Sequence, residues 1–343
     1  MEKNTIVLSV IFLEDFMKNN LNKICTLLLF FALVPCMFAS GKKDKELKVA
    51  FKKGVNAVPF AYLCENKPKL GKDIQLALSA CDEYEQVLTE VLGENGQLGI
   101  LPVEAAAKAF NLSKGALIAL GVSGTGNIYL LSKNADLSGL SQLKGKTLFA
   151  FQEGSASDYV MLYLLKKAGL SVGKGEDSVS LDYSIPPAKM TAALNAGNAD
   201  YAVMPEPYAS VAEIKGQGIV RNIDFQKEYA GAETGDTFPV FLLVANAEYV
   251  KENQDYVKAF ADAYKKAVAW TNAKAARAGV LVQKHELGMM APVVTKSIPY
   301  ASYTWIPAAE ARKAVEKVLK ICLDANPESA GGKLPEESFY YVF

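Results

Sequence analysis

The segment 195–209, NAGNADYAVMPEPYA, constrains the fold of this 343-residue chain more than any other stretch. It follows an amphipathic run over 188–194 and spells helix, turn, buried strand and break. Gly197 can supply the left-handed backbone that ends a helix. The apolar run 201–204 has the form of a parallel strand covered on both faces. Pro205, Glu206, Pro207 and Tyr208 then fall at the carboxyl end of that strand, the edge at which open α/β sheets bind ligands. The same grammar occurs in 93–110, GENGQLGILPVEAAAKAF, where a turn and a strand lead through Pro102 into a helix over 103–110. One such strand–Pro–helix unit in each half predicts a two-lobed α/β binding protein rather than an enzyme.

The length suits two domains of roughly 100–200 residues each. Lys plus Arg and Asp plus Glu balance at 37 each, so the chain lacks the basic footprint of a nucleic-acid binder. The single histidine, His285, lies in the polar helical stretch QKHELG and reads as an exposed helical residue. A histidine-based metal site and a Ser–His pair are therefore not expected. Cys64, Cys81 and Cys322 are widely spaced, with no Cys-x2-Cys and no neighbouring histidine, which argues against structural zinc. A Cys64–Cys81 bridge is one option in an oxidising compartment; isolated buried thiols are the favoured one. No cofactor is expected.

The N-terminus has the layout of a secretory signal: a basic region over 17–23, an apolar region over 24–38 containing Cys25 and Cys36, and a charged exit at 41–46. The apolar run is short for a membrane-spanning helix, which needs about 20 residues. Two processing routes stay open. Leu33-Val34-Pro35-Cys36 resembles a lipobox, in which Cys36 would become the lipidated first residue, although Pro35 departs from the usual small residue there. The alternative is ordinary cleavage near 38–40. Met17 precedes the better signal and is the expected start. The protein is expected outside the cytoplasm, either periplasmic or lipid-anchored at the outer face of a membrane.

From 47 to 122 the pattern alternates strand and helix, which predicts a parallel, helix-covered sheet. A Gly-rich loop, Ser123-Gly-Thr-Gly126, leads to a strand over 127–132. A second α/β progression follows over roughly 145–225. The strongly apolar run 238–245 reads as a strand, and everything beyond it as helix: 247–251, 254–276, 278–290 and 307–325. The second unit is thus inserted within the first. The expected boundaries are 1–40 for the signal region, 41–46 for a linker, 47–126 with 236–343 for lobe one, and 127–235 for lobe two. Two crossings make a hinge that can close about a ligand.

Several segments together resemble a known family. They are VAFKKGVNAVPFAY (49–62), GQLGILPVEAAAKAF (96–110), LSGLSQLKGKTLFAFQEGSASDYVMLYLLKKAGL (137–170) and AALNAGNADYAVMPEPYAS (192–210). The third is the most specific, and SAGGKLPEESFYY (329–341) resembles one branch. In order and spacing the chain resembles an ABC-transporter substrate-binding protein of the nitrate/taurine/sulfonate and thiamine-precursor group over about 47–343. The resemblance implies the type II periplasmic-binding-protein fold, with a mainly parallel, helix-covered sheet in each lobe. It also implies a small organic ligand, a partner permease with its ATPase subunit, and a monomer.

Candidate ligand contacts follow from the strand ends. Gly154-Ser155-Ala156-Ser157 precedes a helix, where free N–H groups and the dipole favour an anion and Ser155 or Ser157 adds a hydroxyl; a plain N-cap is the alternative. Lys-Gly-Lys at 144–146 lacks the spacing of a phosphate loop. Asn56, at the end of the first strand, can donate and accept, or can simply make a turn. Pro59 opens the next helix within the segment that resembles the family's ligand loop. Ser123 and Asn127 flank the first crossing. Pro102 and Glu104 follow the third strand, where Glu104 can equally stabilise a helix N-terminus. Glu206 and Tyr208 form a wall in lobe two, and a carboxylate there would suit an amine or ring N–H. Tyr62, Tyr129, Phe238, Tyr303 and Trp305 are aromatics near predicted edges, for stacking or for the core. The stripe Tyr256, Phe260, Tyr264, Val268 is read as packing alone.

The expected function is an exported receptor that closes on a taurine- or sulfonate-like molecule, or on a thiamine-precursor pyrimidine, and delivers it to a permease. One rival is a thiamine-pyrimidine-synthase-like enzyme, which would need a cytosolic location and a reactive His and Cys arrangement. The other is a periplasmic sensory or adhesion module that binds a partner without closing on a solute.

Overall fold

The computed structural model describes residues 45–93, 96–133 and 137–343. The signal segment, Met17, Cys25 and Cys36 lie outside the described residues. Four strands come first: β1 (Lys45–Lys52), β2 (Ile74–Cys81), β3 (Leu98–Pro102) and β4 (Leu117–Thr125). Between them run α1 (Val58–Asn66), α2 (Tyr84–Leu92) and α3 (Val103–Ser113). The chain then builds β5 (Ile128–Lys133), β6 (Thr147–Phe149), β7 (Ser171–Val172), β8 (Ser178–Asp182), β9 (Tyr201–Pro205) and β10 (Ile219–Asp224). Their helices are α4 (Ala156–Lys167), α5 (Pro187–Ala196), α6 (Tyr208–Lys215) and α7 (Phe225–Ala232). It returns through β11 (Pro239–Asn246), α8 (Ala247–Glu252), α9 (Gln254–Ala273), α10 (Ala275–Lys284), α11 (Ala291–Ser297), β12 (Tyr303–Pro307) and α12 (Ala308–Ala325).

These strands make two six-stranded sheets, in the orders β12-β4-β11-β3-β1-β2 and β10-β5-β9-β6-β8-β7. Both are mainly parallel in direction. In each, the strand that follows a crossing is antiparallel to its neighbours: β5 lies between β9 and β10, and β11 between β3 and β4. β3 and β4 follow one another in the chain but are not paired. Instead β11 separates them, because its run PVFLLVAN is apolar on both faces and is almost wholly buried at a central position.

Three strands, β7, β10 and β12, are not legible from local pattern. β12 falls between stretches read as helix, and β7 and β10 fall within the second α/β progression at positions read as neither strand nor helix. β12 is short, ends in Pro307, and pairs only with β4, as an edge strand can. Gly121 of β4 permits that pairing, since a Cβ there would come 2.8 Å from the Trp305 ring and 2.7 Å from the Ile306 carbonyl oxygen. Ser123 and Thr125 belong to β4 rather than to a loop. The predicted helix 278–290 ends at Lys284, and Gly288 takes φ 90° in the turn that follows.

Among the described residues, apolar side chains form three cores. One lies between the first sheet, α3, α12 and α4, and includes Phe110, Val315, Leu319, Tyr159 and Leu164, so it joins elements of both sheets. A second covers the other face of the first sheet beneath α1, α9 and α10, where Phe51 and Phe60 stack at 4.0 Å. A third lies under the second sheet against α5 and α6. Phe260, Tyr264 and Val268 are buried in the second core. Cys64, Cys81 and Cys322 are free thiols. Among the described residues no helix is long and apolar enough to cross a membrane, and no group of His, Cys, Asp and Glu could hold a metal ion.

Candidate functional site

The carboxyl ends of the parallel strands from both sheets face one cavity of about 740 Å³. Its first wall begins where β1 ends, at Lys52, Lys53, Gly54, Val55 and Asn56, and continues through Tyr84, Pro102, Glu104 and Phe241. Its second wall is made by Asn127, the segment that leads into α4, and Pro205, Glu206, Pro207 and Tyr208. The turn carrying Gly288, Met289 and Met290 closes one side. Most of these groups are apolar or aromatic, with a few polar groups converging, as in small-molecule sites generally.

Of the residues singled out from sequence, Asn56, Pro102, Glu104, Asn127, Ser155, Ser157, Glu206 and Tyr208 line this cavity. Ser123 does not. It lines a void of about 10 Å³ beside it, with Tyr264 and Tyr303, and it hydrogen-bonds Tyr264. Tyr264 therefore does more than pack. Pro59 is buried at the start of α1. Phe238 is wholly buried, edge-on to Tyr229 at 5.2 Å, and so close to Gly126 that any side chain at that glycine would collide with its ring. The Gly-rich crossing thus serves the close approach of Phe238. The other edge aromatics are also structural: Tyr62 packs on Trp270, Trp305 on Tyr264, and the Tyr303 hydroxyl donates to the Val55 carbonyl at 2.8 Å. His285 is half-buried rather than exposed, with Nε2 2.9 Å from Glu65 Oε2.

The N-terminus of α4 differs from a vacant anion site. Ser155 Oγ accepts from Asp158 N–H at 3.2 Å, an N-cap bond. Asp158 Oδ2 accepts from Gly154 N–H at 2.9 Å, and its Oδ1 accepts from the Tyr183 hydroxyl at 2.7 Å. The Glu104 carboxyl accepts from the N–H of Ala156 and from its own N–H. Two carboxylates thus engage the N–H groups of Gly154 and Ala156, while Ser157 lines the cavity beside them.

Glu104 is the unusual titratable group of the cavity. Burial pushes its carboxyl up to about 7, against the opposing effect of those N–H bonds. Its Oε2 is sealed from solvent and has no hydrogen-bond partner. Tyr84, whose hydroxyl accepts from Asn56 Nδ2 at 2.7 Å, is itself raised by burial and by the charge of Glu104.

Glu206 has a different environment. Its side chain is wholly buried, and Arg221 Nη1 lies 2.5 Å from its Oε1. Arg221 also contacts Glu213 at 3.2 Å, donates to Ser210 Oγ at 3.0 Å, and lies between the rings of Tyr129 and Tyr300 at 4.3 and 3.9 Å. Burial raises the Glu206 carboxyl, and Arg221 works against the rise. The Glu206 carboxylate, expected to meet a ligand amine, lines the cavity already paired with a cation from β10. Sequence reasoning missed Arg221 because β10 was missed. It also passed over Tyr84, Phe151 and Phe241, although Tyr84 follows the end of β2 and the same strand-end argument applies to it.

A model of the NMT1-like family matches residues 90–283. The chain is 27% identical over 187 residues to an Escherichia coli (strain K12) protein named as an aliphatic sulfonates-binding protein, covering 54% of each. It is 31% identical over 138 residues to the Bacillus subtilis (strain 168) protein named as binding protein YtlA, covering 40% of this chain and 38% of that one. The matches therefore span about half, or less, of those curated relatives. Among solved structures, an ABC transporter from Parabacteroides distasonis superposes with TM-score 0.75 at 22% identity, covering 87% of this chain and 99% of that one. The periplasmic aliphatic sulphonate binding protein SsuA from Escherichia coli gives 0.65 at 22%, covering 87% and 92%. The periplasmic nitrate-binding protein NrtA from Synechocystis PCC 6803 gives 0.57 at 12%, covering 84% of each. These likenesses concern the fold. With its paired six-stranded sheets and a family match over more than half its length, the chain belongs to the NMT1-like family and has the type II periplasmic-binding-protein fold.

Proposed function

We propose that this protein is the extracytoplasmic solute-binding component of an ABC importer, which closes on a small organic molecule and delivers it to the permease. The observation that carries the reading is the 740 Å³ cavity between the carboxyl edges of the two sheets, of a size and apolar character suited to one small molecule. The names of the relatives support it, since they describe binding proteins and components of ABC transport. No covalent step is required; a difference in affinity between open and closed states is sufficient.

In this reading lobe one is 47–126 with 236–343, lobe two is 127–235, and the chain works as an exported monomer, with Cys36 as a lipid attachment point if the lipobox is used. Asn56, Pro102, Glu104, Asn127, Ser155, Ser157 and Tyr208 are the proposed ligand contacts. The ligand is a sulfonate- or taurine-like molecule or a thiamine-precursor pyrimidine. Mass spectrometry of protein purified from its native host and then denatured tests the reading: one small organic compound per chain is expected. Small-angle scattering should show compaction when that compound is restored. A protein that carries nothing and never compacts would favour a sensory or adhesion module.

A further inference from the structure

We infer that Tyr300, which lies outside the cavity, is a positioning residue for the ligand wall. With Lys296 it clasps the second sheet and its helices, and holds Glu206 and Tyr208 over the cavity. As a device that retains a solute this rests on the receptor reading above; as a contact between the two lobes it does not.

The first ground is where the Tyr300 ring goes. Tyr300 ends the 3₁₀ turn Ile298–Tyr300, which follows α11 and precedes β12. β12 pairs with β4, and α11 packs along α10, so this turn is built with the first sheet. Its ring nevertheless packs against the third core, under the second sheet. The buried members of that core all come from 129–219, and so do Phe149 and Ile185, the other side chains packed against it. Among the described residues, Tyr300 is thus the one side chain of the first sheet's body set into that core.

The second ground is the set of polar contacts around the ring. The Arg221 guanidinium, from β10, lies 3.9 Å from the centre of the Tyr300 ring and 4.3 Å from that of Tyr129. The two rings meet edge to face at 6.0 Å, and the Tyr129 hydroxyl donates to the Tyr300 carbonyl at 2.7 Å. One helical turn earlier, Lys296 of α11 reaches Glu213 of α6 at 3.3 Å. Lys296 is exposed, so its pair is the weaker part of the clasp. The Arg221 side chain is only 10% exposed, and a cation largely withdrawn from water gains more from a ring face.

The third ground is how the clasp reaches the cavity. The cation that contacts Tyr300 also pairs with Glu206, a cavity-lining residue. α6 and α11 contact one another, and Val211 of the first and Val293 of the second both line the cavity. The contact between these helices therefore forms one side of it. The lobes also meet through the first core, where α12 packs on α4. That contact is broad and apolar, and its strength is spread over many side chains. The α6–α11 contact depends on a few polar groups and one ring, so it is the one that a single substitution can release.

The experiment uses the full chain, free of ligand, in small-angle scattering and hydrogen exchange. Tyr300→Leu keeps apolar bulk but takes the ring face from Arg221. It should enlarge the radius of gyration and speed exchange over 208–215 and 291–297. Tyr300→Phe keeps the ring and should match wild type. Lys296→Glu sets two acids face to face at an exposed site and should cause the same change in smaller measure. Unchanged scattering and exchange in Tyr300→Leu overturn the inference, as does equal loosening by Tyr300→Phe. If the leucine variant does not fold, Lys296→Glu decides alone, and the inference falls if that variant shows no loosening. The compound that co-purifies from the native host gives the functional readout. Mass spectrometry during dialysis should find it lost roughly two- to thirty-fold faster from Tyr300→Leu than from wild type. Equal rates of loss overturn the positioning role. Protein that carries no compound fails the receptor reading alone, and scattering and exchange still decide the clasp.

Discussion

Glu104 and Glu206 arise from one local pattern and reach opposite ends. Each follows a buried strand and a proline at the carboxyl edge of a sheet, and each lines the same cavity. Glu206 is met by Arg221, a cation brought from β10 and fixed between two tyrosine rings. Glu104 is met only by backbone N–H groups, and one of its oxygens has no partner. The first carboxylate is therefore part of the wall, while the second is a wall group that still lacks a partner. A charge removed from water must be matched or neutralised, and the two sites show both solutions.

The largest expected effect concerns the matched pair. Arg221→Met leaves Glu206 buried without its cation and should cost about 3–5 kcal/mol in urea unfolding. Arg221→Met combined with Glu206→Gln should recover a large part of that loss. A cost below about 1 kcal/mol for the single variant would mean that Glu206 does not depend on Arg221.

The next effect has the opposite sign. The folded-state pKa of Glu104 lies above its unfolded value of 4.5, so the folded state holds the proton longer. Stability from this group is full below about 4.5 and is lost as pH rises through about 7. In ligand-free protein Glu104→Gln should therefore gain about 2–3 kcal/mol over wild type at pH 8 and almost nothing at pH 4.5. Glu206→Gln at pH 8 should instead lose stability, although burial raises Glu206 too, because it leaves Arg221 buried with Glu213 as its remaining counter-charge. Equal signs for the two glutamine variants would break the comparison.

Smaller effects sharpen it. Ser155→Ala removes the N-cap of α4 next to Glu104 and should cost about 1 kcal/mol, read as a lower denaturation midpoint. Lys53→Ala removes an exposed pair with Asp82 and should leave the melting temperature unchanged within error. A clear drop there would place more charge coupling at the cavity mouth than the geometry implies.

Local pattern carried much of the architecture. The run 201–204, the turn at Gly197 and the proline breaks are short-range features, and they appear in the structure as β9, the end of α5 and the start of α6. The segment 103–110 became α3 for the same reason. β7, β10 and β12 are not legible because short strands with polar or proline positions leave little periodicity, and for β10 and β12 the identity as strands depends on partners far away in sequence. Phe238 was legible as apolar and near an edge, but only its approach to Gly126 and Tyr229 made it core.

Sequence by itself determined that strand ends with prolines and carboxylates would face a common edge, since alternation and turn chemistry act over a few residues. It did not determine which carboxylate would be free. That depends on Arg221 reaching Glu206 and on Ala156 N–H reaching Glu104, contacts between residues 15 and 52 positions apart. Coulomb and desolvation energies depend on distance and burial in space, and only the folded chain sets those.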